Sequence, residues 1–155
     1  MEEKMADTPD FQAGRILVYD DDRLLLDVLV RMLGRHGFQV TATHSEQEAI
    51  ALTRKEHFDL AVVDLGRQRS KGYDLVGAIR ARSQETPSLA MSAYPALEVV
   101  RFAREHAQAL LEKPFPLADL VDVARCILTQ GQRPGETVRD GFSAAARVRV
   151  AAVGG

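Results

Sequence analysis

Three consecutive aspartates, Asp20, Asp21 and Asp22, follow the apolar run Ile16-Leu17-Val18-Tyr19 directly. Asp64 closes a second run, Leu60-Ala-Val-Val63; Ser92 closes a third, Ser88-Leu-Ala-Met91; and Lys113 stands just beyond a fourth, Ala109-Leu-Leu111. Carboxylates gathered at one place repel each other, and burial adds a desolvation cost. A hard divalent cation relieves both. Mg²⁺ suits the inventory, since it takes oxygen ligands, retains several waters and needs only one or two carboxylates. An ammonium from Lys113 adds a compact positive charge. Such a set suits phosphoryl transfer, in which cations neutralise the equatorial oxygens while a carboxylate attacks in line. The chain has no glycine-rich phosphate loop, so nucleotide binding is not indicated.

These residues can meet only if the runs that carry them are adjacent and parallel. Between them lie helical patterns. Leu25, Val28, Leu29, Met32 and Leu33 recur at helical spacing, and Gly37 suits the stop after them. Val40 and Ala42 alternate as in a strand. Ser45 and Glu48 have the spacing of a capping box ahead of Ala49, Ile50 and Leu52. Leu75, Val76 and Ile79 predict a third helix, Ala96, Val99, Val100 and Ala103 a fourth. Pro116 opens a fifth through Leu117, Leu120, Val121, Ala124, Ile127 and Leu128. Five β-α repeats with continuous apolar strands predict an α/β fold, a doubly wound parallel sheet with helices on both faces. Polar chemistry in such a sheet gathers beyond the carboxyl ends of the strands, where the aspartates, Ser92 and Lys113 fall.

The pattern occupies residues 15–130. Residues 1–14 read as a flexible leader and 131–155, with Gly131, Pro134, Gly135 and Gly141, as a flexible tail. With 155 residues and 46% hydrophobic composition the chain is expected to form one core. A net charge of −2 argues against a globally basic nucleic-acid binder. The single cysteine, Cys126, fits a reducing compartment. No run approaches membrane-spanning length, so a cytoplasmic protein, monomeric or weakly dimeric, is expected.

The pieces Ile-Leu-Val-Tyr-Asp20-Asp21, Phe58-Asp-Leu-Ala-Val-Val-Asp64, Gly72, Ser92-Ala93 and Lys113-Pro114-Phe115 together resemble the receiver domain of two-component response regulators. The resemblance runs from Ile16 to about Leu128 and implies a flavodoxin-like strand order 2-1-3-4-5, as in the chemotaxis receiver. It also implies roles. Asp64 would be the phosphoacceptor, Asp21 a direct Mg²⁺ ligand, Asp20 a water-mediated partner, and the Gly66 carbonyl the backbone ligand. Lys113 would pair with the acceptor or its phosphoryl group, and Ser92 would hydrogen-bond a phosphoryl oxygen. A histidine kinase or phosphotransfer protein would supply the phosphoryl group, and a downstream protein would read it; neither direct nucleic-acid binding nor a membrane role is implied.

The chain departs from the family pattern at three places. Gln68 stands where a proline is usual, in the basic stretch Gly66 to Lys71; Leu110 replaces the aromatic expected three residues before the lysine; and His106-Ala107 replaces Gly-Ala. Asp22 reads as a helix cap rather than a ligand. The four histidines have no metal-binding spacing. The functional expectation is a phosphorylated switch rather than an enzyme. Its rivals are an unphosphorylated interaction module of the same fold and a Mg²⁺-dependent phosphatase working through an aspartyl phosphate.

Overall fold

The computed structural model describes residues 14–67, 71–82, 85–94 and 96–129, and the backbone of 148–150. The elements are β1 (Arg15–Tyr19), α1 (Arg23–Arg35), β2 (Gln39–Thr43), α2 (Glu46–Lys55), β3 (Leu60–Asp64), α3 (Tyr73–Arg82), β4 (Ser88–Ser92), α4 (Leu97–His106), β5 (Ala109–Glu112), α5 (Leu117–Thr129) and β6 (Val148–Val150). The sheet order is β2-β1-β3-β4-β5-β6. β1 to β5 are parallel, as the β-α alternation requires, and form the 2-1-3-4-5 arrangement. The sequence pattern stops at five strands. The sixth, Val148–Val150, lies within the expected tail and pairs antiparallel with β5, covering its open edge. The rest of the leader and tail lies outside the described residues, except Gly14.

Alternate residues of each central strand feed two cores. Ile16, Val18, Leu60, Val62, Leu89, Met91 and Leu111 meet α1 and α5 on one face. Leu17, Tyr19, Ala61, Val63, Ala90 and Leu110 meet α2, α3 and α4 on the other. Burial on both faces explains why β3 and β4 read as unbroken apolar runs.

The helix ends follow local chemistry. Asp22 caps α1, its side chain accepting from the Leu24 and Leu25 amides. Gly37, at φ 91°, ends the same helix; its amide donates to the Gly34 carbonyl at 3.1 Å and that of Phe38 to Leu33 at 3.2 Å, a Schellman closure. Ser45 Oγ accepts from the Glu48 amide at 3.2 Å, one half of the expected capping box. The buried stripe of α1 runs through Leu26, Leu29 and Leu33, whereas Val28 is 42% exposed. The expected stripe is therefore rotated by part of a turn. Leu25 and Met32 flank the core from partly buried positions, because the helix presents Leu26 rather than Val28 to the sheet.

Candidate functional site

The strand order puts the ends of β1 and β3 side by side, with Tyr19 in register with Val63, and β4 and β5 follow. The residues just beyond these ends form the wall of a cavity of about 620 Å³ that includes Asp20, Asp21, Asp64, Gly66, Lys71 and Lys113. One ligand oxygen from each of Asp20, Asp21 and Asp64 lies within 4.8 Å of the others.

Lys113 spans two of these carboxylates. Its Nζ donates to Asp20 Oδ2 at 2.8 Å and to Asp64 Oδ1 at 2.9 Å. Burial acts to lower the ammonium's pKa, but the hydrogen bonds and charges of Asp20 and Asp64 outweigh it and hold the pKa above the ordinary lysine value. Asp20 is fully buried; its Oδ1 accepts from the Asp22 amide at 2.9 Å, which fixes the carboxylate as the chain turns into α1. Asp21 stands at the solvent edge, where Lys71 donates to its Oδ2. That hydrogen bond holds the Asp21 carboxyl below the usual range.

The site also disturbs the protonation of Asp64. Burial pushes its carboxyl up to about 6; Lys113 opposes the shift, while Asp20 and Asp21 reinforce it. Tyr19, beneath the cluster, is pushed up to about 12 by burial and then by Glu46 and the aspartates, so its phenol stays neutral. The Asp64 shift has a stability consequence. The folded state binds this proton more tightly than the unfolded chain, whose aspartates titrate near 4. The metal-free protein therefore loses stability as pH rises from about 4 through about 6. Urea melts of wild type and Asp64→Asn at pH 4 and pH 7 isolate this. The wild type should lose on the order of 3 kcal/mol relative to the variant over that interval, and a pH-independent difference would contradict it.

The described ends of the β3–α3 connection lie against each other and against the end of β3. The Gly66 amide donates to the Lys71 carbonyl at 2.9 Å. Gly72 has φ 87°, and a Cβ there would lie 2.1 Å from the Asp64 carbonyl oxygen. Glu46, the first residue of α2, reaches across to α3, its Oε2 accepting from the Gly72 and Leu75 amides at 2.9 and 3.1 Å. The Gly66 carbonyl, expected as a metal ligand, accepts a hydrogen bond from Tyr73 at 3.2 Å, and its second lone pair remains for another partner. Gln68 lies outside the described residues.

Ser92 is fully buried and its Oγ accepts from the Tyr94 amide at 3.0 Å, so this hydroxyl turns toward its own loop. The following residues, Ala93 and Tyr94, line the cavity. Tyr94 is 48% exposed and lies under the Arg67 guanidinium, 4.0 Å from the ring centroid. Leu110 belongs to the core cluster that also holds Tyr73 and Phe102, whose rings meet edge to face at 4.6 Å. Two aromatic rings from α3 and α4 thus pack in the cluster to which β5 contributes only leucine. Lys71, Glu46 and Tyr73 were missed by sequence reasoning. A lysine and a tyrosine flanking Gly72 were the available signal, but their direction is set by the loop's return and not by local pattern.

The model of the response regulator receiver domain matches residues 16–125, most of the chain. The chain belongs to this family. As a receiver domain it has a phosphoacceptor role in two-component signalling. Receivers are signalling switches, generally not enzymes; they interact with histidine kinases and effectors, and the family typically binds Mg²⁺ at an acidic pocket. Among similar proteins, the response regulator FleR of Pseudomonas aeruginosa is 36% identical over 125 residues, covering 79% of this chain and 26% of FleR. The response regulator MprA of Mycobacterium avium is 31% identical over 132 residues, covering 83% of this chain and 58% of MprA. This receiver thus spans about a quarter of one relative's length and somewhat over half of the other's. A CheY-like receiver domain from Methanospirillum hungatei superposes with a TM-score of 0.71 at 26% identity, covering 75% of this chain and 94% of that one. No helix among the described residues of this receiver is long and apolar enough to cross a membrane.

Proposed function

We propose that Asp64 accepts a phosphoryl group from the phosphohistidine of a histidine kinase or phosphotransfer protein, with Mg²⁺ held by Asp21, Asp64 and the Gly66 carbonyl and Asp20 acting through water. The observation that carries this reading is the Lys113 ammonium bridging Asp20 and Asp64 at 2.8 and 2.9 Å in the wall of an open cavity. The donor set fits the ion, being all hard oxygen with carboxylate oxygens within 4.8 Å of one another. When bound, Mg²⁺ supplies positive charge against the carboxylates and the phosphoryl oxygens.

The chain's own groups do the rest. A carboxylate oxygen of Asp64 forms the new O–P bond as the donor's P–N bond breaks, and the leaving imidazole keeps the electron pair and takes a proton. Lys113, held charged by its two carboxylates, balances the negative charge that arrives. Ser92 would exchange the Tyr94 amide for a phosphoryl oxygen, re-aiming the segment that leads into α4. The phosphoryl group adds roughly −1.5 to −2 charge, which biases the face formed by residues 92–104, β5 and α5 toward or away from a protein partner. The switch turns over no metabolite, and a cytoplasmic setting without direct nucleic-acid or membrane contact fits it.

Incubation with a small phosphodonor such as acetyl phosphate tests the proposal. One phosphoryl group per chain should appear only with Mg²⁺ present and should be lost in Asp64→Ala. No labelling at saturating donor and Mg²⁺ would overturn it in favour of the unphosphorylated interaction module, the reading that the Lys71–Asp21 ion pair favours. Repeated turnover of a phosphomonoester would instead identify a phosphatase.

A further inference from the structure

The acidic cluster already holds two ammonium groups, on opposite sides. Lys113 takes Asp20 and Asp64 from the buried side, at 16% side-chain exposure, and Lys71 takes Asp21 from the solvent side, at 51%. The two differ in what they satisfy. Lys113 neutralises carboxylates that are buried whatever occupies the pocket. Lys71 sits on the carboxylate that a cation entering from solvent meets, in the wall of the same cavity.

Its position is built in by the backbone. The Lys71 carbonyl accepts from the Gly66 amide at 2.9 Å, and the next residue, Gly72, is held by Glu46 at 2.9 Å with φ 87°. The Lys71 carbonyl and the residue that follows it are therefore both tied to the scaffold. Arg67, on the same connection and in the wall of the same cavity, stacks on Tyr94 rather than pairing with Asp21.

We propose that Lys71 is an internal competitor for the divalent cation: its ammonium occupies Asp21 in the metal-free receiver, and a metal ion must displace it to bind. This rests on the reading of Asp21 and Asp64 as metal ligands. Only the fraction of molecules with Asp21 released is competent, so the apparent affinity falls by that fraction. An exposed pair of this kind is populated a few-fold over its open form. Once displaced, the ammonium still repels a nearby dication at low ionic strength. Together these make the metal bind about three- to tenfold more weakly than the same carboxylates would without Lys71. The consequence is a switch whose readiness to be phosphorylated follows the concentration of free Mg²⁺ rather than being saturated by it.

Titration calorimetry of the full chain with MgCl₂ at low salt tests this directly. Lys71→Gln should tighten Mg²⁺ binding about three- to tenfold, whereas Lys71→Arg, which keeps the charge, and Arg67→Gln, which removes a cation not on Asp21, should stay within about twofold of wild type. A second readout is thermal: at a fixed sub-saturating Mg²⁺ concentration, the rise in Tm on adding the ion should be larger for Lys71→Gln. Unchanged or weaker binding in Lys71→Gln, or equal tightening in Arg67→Gln, overturns the competitor while leaving the metal site standing. No Mg²⁺ binding by any of the chains overturns the competitor and the metal reading together.

Discussion

Lys113→Met should destabilise the metal-free protein by about 3–5 kcal/mol at pH 8, because it leaves two carboxylates buried together with their shared cation removed. Methionine keeps most of the volume, so the loss is electrostatic rather than a cavity. Asp20 is fully buried and Asp64 8% exposed, so little water reaches either carboxylate to replace the lost ammonium. The pH dependence identifies the cause. With Lys113 present, the Asp64 carboxyl already sits at about 6. Without the ammonium, the opposing effect goes and the carboxyl moves higher still. A folded-state pKa above that of the unfolded chain means stability present at low pH and lost as pH rises through the folded value. The variant's deficit should therefore be smaller at pH 5, where Asp64 is protonated and only Asp20 has lost its partner, than at pH 8. Added Mg²⁺ should restore part of the loss at pH 8. Urea melts at both pH values, with and without the ion, check this; a loss below about 1 kcal/mol at pH 8, or one equal at both pH values, would contradict it.

The contrast between Lys113 and Lys71 also shows what the sequence could and could not disclose. Lys113 follows a strand by one residue, and a parallel sheet delivers every strand end to one rim, so its convergence with Asp20 and Asp64 was legible from position alone. The capping role of Asp22 and the Gly37 stop were readable because each rests on chemistry within a few residues, and the five parallel strands because the β-α alternation requires them. Lys71 sits seven residues beyond the end of β3, and its ammonium finds Asp21 across 50 positions of sequence. Glu46 likewise reads locally as a first-turn acid of α2 and serves instead as the partner of the Gly72 and Leu75 amides. The α1 stripe failed for a related reason: Leu24, Leu25, Leu26, Val28 and Leu29 offer several apolar faces of similar quality, and packing against the sheet chooses among them. Val148–Val150 illustrates the limit of periodicity, because three residues carry too little pattern to announce a strand, and the unpaired edge of β5 selects them.

Gly72 is where these distant contacts and Asp64 meet, and Gly72→Ala is expected to harm both the fold and the site. The position combines two separate demands. At φ 87° an L-residue with a side chain incurs about 1–2 kcal/mol of backbone strain. In addition, the new methyl would stand 2.1 Å from the Asp64 carbonyl oxygen and 3.0 Å from its carbon, and neither neighbour is a flexible side-chain end that can move aside. The loop must therefore retreat from β3. Retreat breaks the Gly72 amide's hydrogen bond to Glu46, draws Lys71 away from Asp21 and pulls on the Gly66 amide that donates to the Lys71 carbonyl. A total loss of about 3 kcal/mol or more is expected in urea melts, well above an ordinary surface glycine-to-alanine change. Gly77, in the middle of α3, supplies the comparison, since a Cβ there meets nothing within 4 Å and alanine is the better helix former. Gly77→Ala should be neutral or stabilising by up to about 1 kcal/mol. If Gly72→Ala proved as harmless as Gly77→Ala, the close approach of Gly72 to the end of β3 would be wrong, and with it the placement of Gly66 and Lys71 around Asp64.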